Sequence, residues 1–220
     1  MIVLFDIDGT LVDTGGSGTR SWKAAFEQLY GVAADIGDHS SAGQTDPQVA
    51  QATFRGVLGR DPRPEELGKL YARYLMHLAQ DIWTSERYRV LSGAEQILTR
   101  MAEAGVLIGL VSGALEGAAR TKLMPANLNR FMIFGAYGSD SADRAELTRL
   151  AIGKAARLKG ERSPDRAYVV GDTPLDIDAA KQAGAIPVGV ASGAYTTDQL
   201  AAAGAEHVLT SLEDPFPGFS

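Results

Sequence analysis

The sequence predicts a doubly wound α/β fold, a Rossmann-like parallel sheet with helices on both faces, and an all-helical segment inserted after the first strand. Short continuous apolar runs recur along the chain, and such runs are typical of strands buried on both faces. From about residue 90 onward, helical patterns separate these runs, as in right-handed strand–helix–strand units. No convincing buried strand lies between residues 15 and 89, which predicts the helical insertion.

Six apolar runs are the predicted strands of the sheet. The first ends at an acidic turn containing glycine, and the last is the weakest of the six. The runs span residues 2–5, 106–111, 131–134, 167–170, 186–190 and 207–209. Between them, apolar side chains at helical spacing predict helices over residues 94–102, 147–158 and 175–183.

The insertion is predicted to contain three amphipathic helices. Apolar positions at helical spacing mark them over residues 22–29, 49–54 and 67–82, and Gly31 is a plausible end for the first. We therefore expect a core domain made of residues 1–14 and 90–220, and a cap domain made of residues 15–89.

The composition limits the possible functions. A net charge of −6 without any basic block disfavours a nucleic-acid partner held by phosphate contacts. The absence of cysteine excludes disulfides, thiolate nucleophiles and cysteine-based zinc sites. No apolar run reaches transmembrane length, and the run before Asp6 is too short for a signal peptide, so we expect a cytoplasmic protein without a membrane partner. Nothing in the sequence indicates the oligomeric state.

Two carboxylates follow the first predicted strand. Asp6 and Asp8 are two residues apart, at the sheet edge where ligands bind in open α/β folds. Close carboxylates resist joint ionisation unless a cation lies between them, and their oxygens suit Mg²⁺. Gly9 allows the backbone to turn, which would free N–H groups for phosphate oxygens. The plainer alternative is an Asp–Gly turn after a strand.

Three segments carry a family resemblance. Residues 6–10 read D-I-D-G-T and resemble the first motif of the haloacid dehalogenase superfamily. Residues 110–113 read L-V-S-G and are similar to its second motif, and residues 169–176 read V-V-G-D-T-P-L-D and are similar to its fourth. The helical insertion resembles the cap of the phosphoglycolate phosphatase and β-phosphoglucomutase branch. The resemblance implies a magnesium-dependent phosphohydrolase.

The resemblance also implies roles for four acidic residues. Asp6 would attack phosphorus and form an aspartyl-phosphate, and Asp8 would protonate the leaving oxygen and then activate water. One Asp6 oxygen, the Asp8 carbonyl and Asp172 would bind Mg²⁺, and Asp176 would support them. Taken alone, Asp172 could instead belong to a surface turn.

Phosphate oxygens would be held mainly by the second motif. The Ser112 hydroxyl and the Gly113 N–H would donate hydrogen bonds to them, together with the loop at Gly9 and Thr10. Ser112 taken alone could also be a helix N-cap that follows a strand.

The third motif requires a basic residue that holds both the phosphate and the nucleophile. Arg144 is our first choice, because it lies just before a predicted helix and could grip two phosphate oxygens at once. Lys122, on the helix after Ser112, and Lys154 are rivals, and either could equally be a solvated helix residue.

The cap is expected to choose the substrate. The loop of residues 41–47 connects two predicted cap helices, and by resemblance Gln44 and Thr45 would point towards the substrate. The alternative is a simple connection in which Thr45 or Asp46 caps the next helix.

The expected activity is hydrolysis of a small phosphorylated metabolite, with phosphoglycolate as the default. Two alternatives stay open: a sugar-phosphate mutase of the β-phosphoglucomutase type, and a non-catalytic phosphate-ligand sensor. A true dehalogenase is disfavoured because it needs neither Mg²⁺ nor a second carboxylate. A phosphonatase is disfavoured because neither cap lysine, Lys23 or Lys69, lies in a recognisable site.

Overall fold

The computed structural model of the protein describes residues 1–34, 41–160 and 166–219, in which eight strands form two sheets. The strands are β1 (Ile2–Phe5), β2 (Val12–Asp13), β3 (Arg89–Val90), β4 (Leu107–Ser112), β5 (Phe134–Tyr137), β6 (Ala167–Gly171), β7 (Ile186–Val190) and β8 (His207–Leu209). The main sheet has six parallel strands in the order β5-β4-β1-β6-β7-β8, and β2 pairs with β3 in a separate antiparallel ribbon. The predicted doubly wound fold is confirmed.

The position of β1 in the sheet explains why all its residues are apolar, rather than alternating between apolar and polar. Ile2 and Leu4 are buried in the cluster on one face of the sheet, whereas Val3 and Phe5 are buried in the cluster on the other. Successive side chains of a strand point to opposite faces, so a strand covered on both sides needs an apolar residue at every position.

Helices connect the strands on both faces of the sheet. They are α1 (Ser17–Tyr30), α2 (Asp46–Leu58), α3 (Pro64–Asp81), α4 (Ala94–Glu103), α5 (Glu116–Leu123), α6 (Arg144–Lys159), α7 (Pro174–Gln182) and α8 (Thr197–Ala202), with a short 3₁₀ helix at Leu128–Phe131. None of the helices in the described ranges is both long and apolar enough to cross a membrane.

The insertion consists of α1, α2 and α3, which lie between β2 and β3. Gly31 ends α1 with a φ of 69°, a left-handed conformation that glycine adopts at low cost. The apolar sides of α1 and α3 meet at Trp22 and Tyr74, whose rings lie edge to face 5.2 Å apart. On its other side α3 approaches α5 closely, since a methyl group added at Gly117 would lie 3.1 Å from Leu75.

The predicted third strand is displaced along the chain. Residues 131–134 were expected, but β5 is Phe134–Tyr137, because Phe131 ends the 3₁₀ helix and Ile133 is 65% exposed in the connection. The middle of the strand is Gly135, which has no side chain, and Ala136, which has a small one, so it has little apolar character in the sequence. Burial here is set by the neighbouring strand rather than by hydropathy.

Candidate active site

A cavity of about 310 Å³ lies at the carboxyl ends of the central strands, beneath the helical insertion. β1 lies between β4 and β6, and Phe5 is in register with Leu110 on one side and Val170 on the other. The residues that follow these positions therefore emerge together at one sheet edge. Asp6, Ser112 and Asp172 all line the cavity.

Three carboxylates meet at this edge and form what we call the acidic cluster: Asp6, Asp172 and Asp176. One carboxylate oxygen from each lies within 4.8 Å of the others, and all three side chains are buried. The expected convergence of Asp6 with Asp172 is found, and Asp176 joins them directly.

The start of α7 holds Asp176 in the cluster. Its Oδ2 accepts hydrogen bonds from the Thr173 hydroxyl at 2.6 Å and from the Thr173 N–H at 3.1 Å. The Thr173 hydroxyl also accepts from the Asp176 N–H, which completes a reciprocal helix cap. A threonine, a proline and an acidic residue at this spacing are a sequence signal for such a cap.

Arg144 is the cation of the acidic cluster. Its guanidinium contacts the Asp176 carboxylate, and Nη2 lies 3.5 Å from Oδ1 of Asp6. Nη1 donates to the Gly43 carbonyl of the insertion at 2.9 Å. Arg144 begins α6, and Asp143 caps that helix by accepting from two backbone N–H groups. This N-cap fixes the direction of the first turn of α6, so the buried guanidinium of Arg144 enters the cavity.

The acidic cluster carries more negative charge than Arg144 can balance. Burial and the neighbouring Asp176 raise the pKa of Asp6 to about 7, although Arg144 opposes the change. Burial, Asp176 and Asp6 raise the pKa of Asp172 to about 8. Crowded oxygen donors with unbalanced charge suit a hard divalent cation such as Mg²⁺. These residues therefore fit the metal that the sequence resemblance implies.

Two glycines make room for the Asp172 carboxylate. A methyl group added at Gly9 or at Gly193 would overlap its Oδ2 atom. Gly9 also has a φ of 78°, and its carbonyl accepts a hydrogen bond from the Ser192 hydroxyl at 2.7 Å. Thr10 is buried and donates from its hydroxyl to Asp172 Oδ1 at 3.3 Å.

The loop of Gly9 and Thr10 thus supports Asp172, and neither residue is among those that line the cavity. The role of Gly193 was missed, because nothing in the sequence links a glycine after β7 to Asp172.

Asp8 lies apart from the acidic cluster. Its side chain is 46% exposed, and its Oδ2 is 2.5 Å from Nζ of Lys122 on α5, whose own side chain is only 8% exposed. Lys122 was considered for the third motif, but its contact is with Asp8, whereas Arg144 approaches Asp6. Lys154 donates to the Gly135 carbonyl at 2.7 Å and is not among the residues that line the cavity.

Lys122 is surrounded by acidic and aromatic side chains of the insertion. Burial opposes its charge, but Asp8, Tyr74 and Asp46 favour it, and the net effect raises the pKa of Lys122. Asp46 is itself half-buried, and its Oδ2 accepts a hydrogen bond from the Leu115 N–H at 2.8 Å. The lysine therefore keeps its proton.

The second motif lies at the end of β4. Ser112 is buried and its hydroxyl accepts from the Ala114 N–H at 3.3 Å. The N-cap of α5 is Leu115, so the alternative role of Ser112 as the cap of this helix is wrong. A methyl group at Gly113 would approach the Gln44 carbonyl at 2.7 Å, so the insertion rests directly on this glycine.

The loop before α2 reaches the cavity, as the family resemblance implied. Gly43, Gln44 and Asp46 line the cavity, and the Gln44 side chain accepts from the Ser41 N–H at 3.0 Å. Thr45 is not among the lining residues. Its hydroxyl caps α2 and donates to the Ala142 carbonyl at 3.1 Å, so the capping alternative describes Thr45 better than contact with substrate.

Known proteins resemble this chain over nearly its whole length. A phosphoglycolate phosphatase of Rhodospirillum rubrum is 29% identical, with 98% of this chain and 92% of that protein aligned. A phosphonoacetaldehyde hydrolase of Bordetella avium is also 29% identical, over 86% of this chain and 70% of that protein. A crystal structure from Haemophilus somnus, described as a predicted phosphoglycolate phosphatase, superposes with a TM-score of 0.74 at 16% identity, covering 97% of this chain and 95% of that one.

A family profile described as haloacid dehalogenase-like hydrolase matches residues 1–184. The matched residues contain β1, the helical insertion and the strand ends around the cavity, including the whole acidic cluster. With so much of the fold and the site inside the match, the chain belongs to the haloacid dehalogenase-like hydrolases.

Proposed function

We propose that the protein is a magnesium-dependent phosphatase that hydrolyses a small phosphomonoester through a phosphorylated Asp6. The observation that supports this most is that the two carboxylates after β1 have different surroundings. Asp6 lies buried in the acidic cluster beside Arg144, whereas Asp8 is half-exposed and paired with Lys122. One position suits a nucleophile held against a metal, and the other suits a group that exchanges protons.

In the first step, an Asp6 carboxylate oxygen attacks phosphorus, and the bond from phosphorus to the ester oxygen breaks. Asp8 gives its proton to that oxygen, so an alcohol leaves rather than an alkoxide. Arg144, 3.5 Å from Asp6, donates hydrogen bonds to the phosphoryl oxygens during the transfer. Ser112 and the Gly113 N–H, at the end of β4, donate to the same oxygens.

In the second step, Asp8 takes a proton from water. The resulting hydroxide oxygen attacks phosphorus, and the bond between phosphorus and Asp6 breaks. Phosphate leaves, Asp6 is again a carboxylate and Asp8 is again protonated.

The metal would be held by Asp6, the Asp8 carbonyl and Asp172, with Asp176 supporting them. Bound Mg²⁺ supplies positive charge that offsets the repulsion between a carboxylate and a phosphate. Arg144 alone cannot do so, because it already neutralises part of the acidic cluster.

The size of the cavity supports a small substrate. Its volume of about 310 Å³ must hold the phosphoryl group and the leaving group together. Gln44, from the loop of the insertion, lines the cavity and would contact the leaving group. Together with the phosphatase relatives, this supports phosphoglycolate as the first metabolite to assay. Residues 15–89 would act as the cap that encloses it.

Release of phosphate from p-nitrophenyl phosphate and acetyl phosphate, with Mg²⁺ and with chelator, tests the proposal. We expect turnover that needs Mg²⁺ and that Asp6→Asn abolishes, because an amide oxygen is a far weaker nucleophile. Asp178→Asn, on the exposed side of α7, is the matched control and should retain activity. Activity of Asp6→Asn near the wild-type rate would rule out the nucleophile.

The alternatives give different results in related assays. A mutase would return an isomerised sugar phosphate with little free phosphate, and a sensor would bind phosphate esters without turnover. The phosphonatase alternative gains little support, because Lys23 and Lys69 are exposed and neither is among the residues that line the cavity. Lys122 does line it, but its raised pKa keeps the amine protonated and thus non-nucleophilic.

A further inference from the structure

The pair of Asp8 and Lys122 joins two distant parts of the chain. Asp8 is in the loop after β1, and Lys122 is 114 residues later, on the buried side of α5. The Nζ to Oδ2 distance of 2.5 Å is that of a strong charge-assisted hydrogen bond. Lys122 is nearly inaccessible to water, so the lysine is the confined partner and Asp8 is the more exposed one.

We propose that Lys122 is a positioning residue that holds the Asp8 carboxyl at the leaving-group side of the cavity. This inference rests on the proposed function, in which Asp8 protonates the leaving oxygen. A half-exposed aspartate has several accessible rotamers, and only those directed towards the cavity can deliver a proton. The hydrogen bond from Lys122 Nζ to Oδ2 selects among them, and it leaves Oδ1 to carry the proton.

The surroundings of Lys122 support an anchoring role. Its side chain packs in the same buried face of α5 as Ala118 and Ala119. A methyl group added at Gly18 would lie 3.7 Å from the Tyr74 hydroxyl and 4.0 Å from Lys122 Nζ, so α1 and α3 close around the ammonium group. A long side chain confined in this way reaches Asp8 without a large loss of entropy on pairing.

Dependence on the leaving group separates positioning of Asp8 from a general structural role. Phenyl phosphate and p-nitrophenyl phosphate have nearly the same shape, but phenolate is a much poorer leaving group and needs the proton far more. We expect Lys122→Met to lower the ratio of kcat/KM for phenyl phosphate to kcat/KM for p-nitrophenyl phosphate by at least about tenfold. The ratio is used because kcat/KM covers only the steps up to formation of the phosphoenzyme.

Lys154→Met is the matched control, since that lysine is not among the residues lining the cavity, and its ratio should stay within about twofold of wild type. If thermal melting shows that Lys122→Met is unfolded, Lys122→Gln is judged by the same criterion. An unchanged ratio, including an equal loss on both substrates, overturns the proposal. Wild-type protein without turnover of either ester would instead refute the proposed function.

A double-mutant cycle tests whether Lys122 acts through Asp8. If Lys122 acts through Asp8, adding Lys122→Met to Asp8→Asn should change the ratio by less than about twofold, because the proton donor is already absent. A further tenfold fall in that background would mean that Lys122 acts independently of Asp8, which contradicts the inference.

Discussion

The cavity has two charged regions with different balances. On the core side, the acidic cluster sets three buried carboxylates against the single guanidinium of Arg144. On the side of the insertion, Lys122 faces Asp8 and the half-buried Asp46, and Asp8 itself is half-exposed. The first region is short of positive charge, and the second is closer to balance.

The difference separates the two tasks expected of this site. A region short of positive charge is stabilised by a bound cation, and burial keeps water from screening the interaction. A half-exposed carboxyl at the edge of solvent can exchange a proton with a substrate or with water. Three changes would break or sharpen this contrast.

The largest expected effect is that of Arg144→Met. Removing the guanidinium would take away the proposed donors to the phosphoryl oxygens, so kcat/KM should fall by about 10²- to 10³-fold in a phosphate-release assay. The loss should be the same for phenyl phosphate and p-nitrophenyl phosphate, unlike that of Lys122→Met, because in the proposed mechanism Arg144 contacts the phosphoryl oxygens and not the leaving group.

Arg149→Met, on the exposed side of α6, is the control for Arg144→Met and should have little effect. A selective loss on phenyl phosphate for Arg144→Met would mean that the two regions do not have separate tasks.

A smaller effect is expected from Gly193→Ala. The added methyl group needs the space of Asp172 Oδ2 and must displace the carboxylate. The Mg²⁺ concentration for half-maximal activity should rise about tenfold, which a metal titration of the rate measures. Gly153→Ala, where an added methyl group meets nothing within 4 Å, should leave the titration unchanged. An unaltered titration for Gly193→Ala would show that Asp172 does not depend on its present position.

The smallest expected effect concerns stability without metal. The pKa values of about 7 for Asp6 and about 8 for Asp172 lie above the ordinary value of 3.8, so the folded state holds these protons more tightly than the unfolded chain. Their contribution to stability is complete below the ordinary pKa and is lost as the pH rises through about 7 to 8. The free energy of unfolding should thus fall by about 1–3 kcal/mol between about pH 5 and pH 8.5.

Thermal and urea unfolding in chelator measure this loss, and saturating Mg²⁺ should reduce it. Asp172→Asn removes one of the two groups and should flatten the pH dependence, whereas Asp178→Asn should not. A metal-free protein that becomes more stable as the pH rises over this range would contradict the raised pKa values of Asp6 and Asp172.

Much of the architecture follows from local sequence. β1 can be recognised because strands covered on both faces need apolar residues at every position, and α1 ends at Gly31 where a left-handed residue is required. The approach of Asp6 to Asp172 follows from the rule that parallel strands end at one sheet edge. β5 escaped prediction because Gly135 and Ala136 are buried by their neighbours without being strongly apolar.

Contacts between distant segments were the least predictable part of the site. Gly193 leaves the space that the Asp172 carboxylate occupies, and no local sequence pattern indicates this contact. The burial of Lys122 could have been inferred from the sequence. It lies three and four residues after Ala119 and Ala118, and therefore on the same buried face of α5. A lysine at a buried helical position must find a partner, although the sequence does not say that the partner is Asp8.

The docking of Asp46 has a consequence for turnover. Its N–H donates to the Gly113 carbonyl at 2.8 Å, and its carboxylate accepts from the Leu115 N–H, so the first turn of α2 is fastened to the loop that carries the second motif. Lifting the insertion would have to break both bonds. If the proposed phosphatase releases its product by this movement, the segment next to Ser112 would loosen at the same time, and departure of phosphate would be coupled to opening of the cavity.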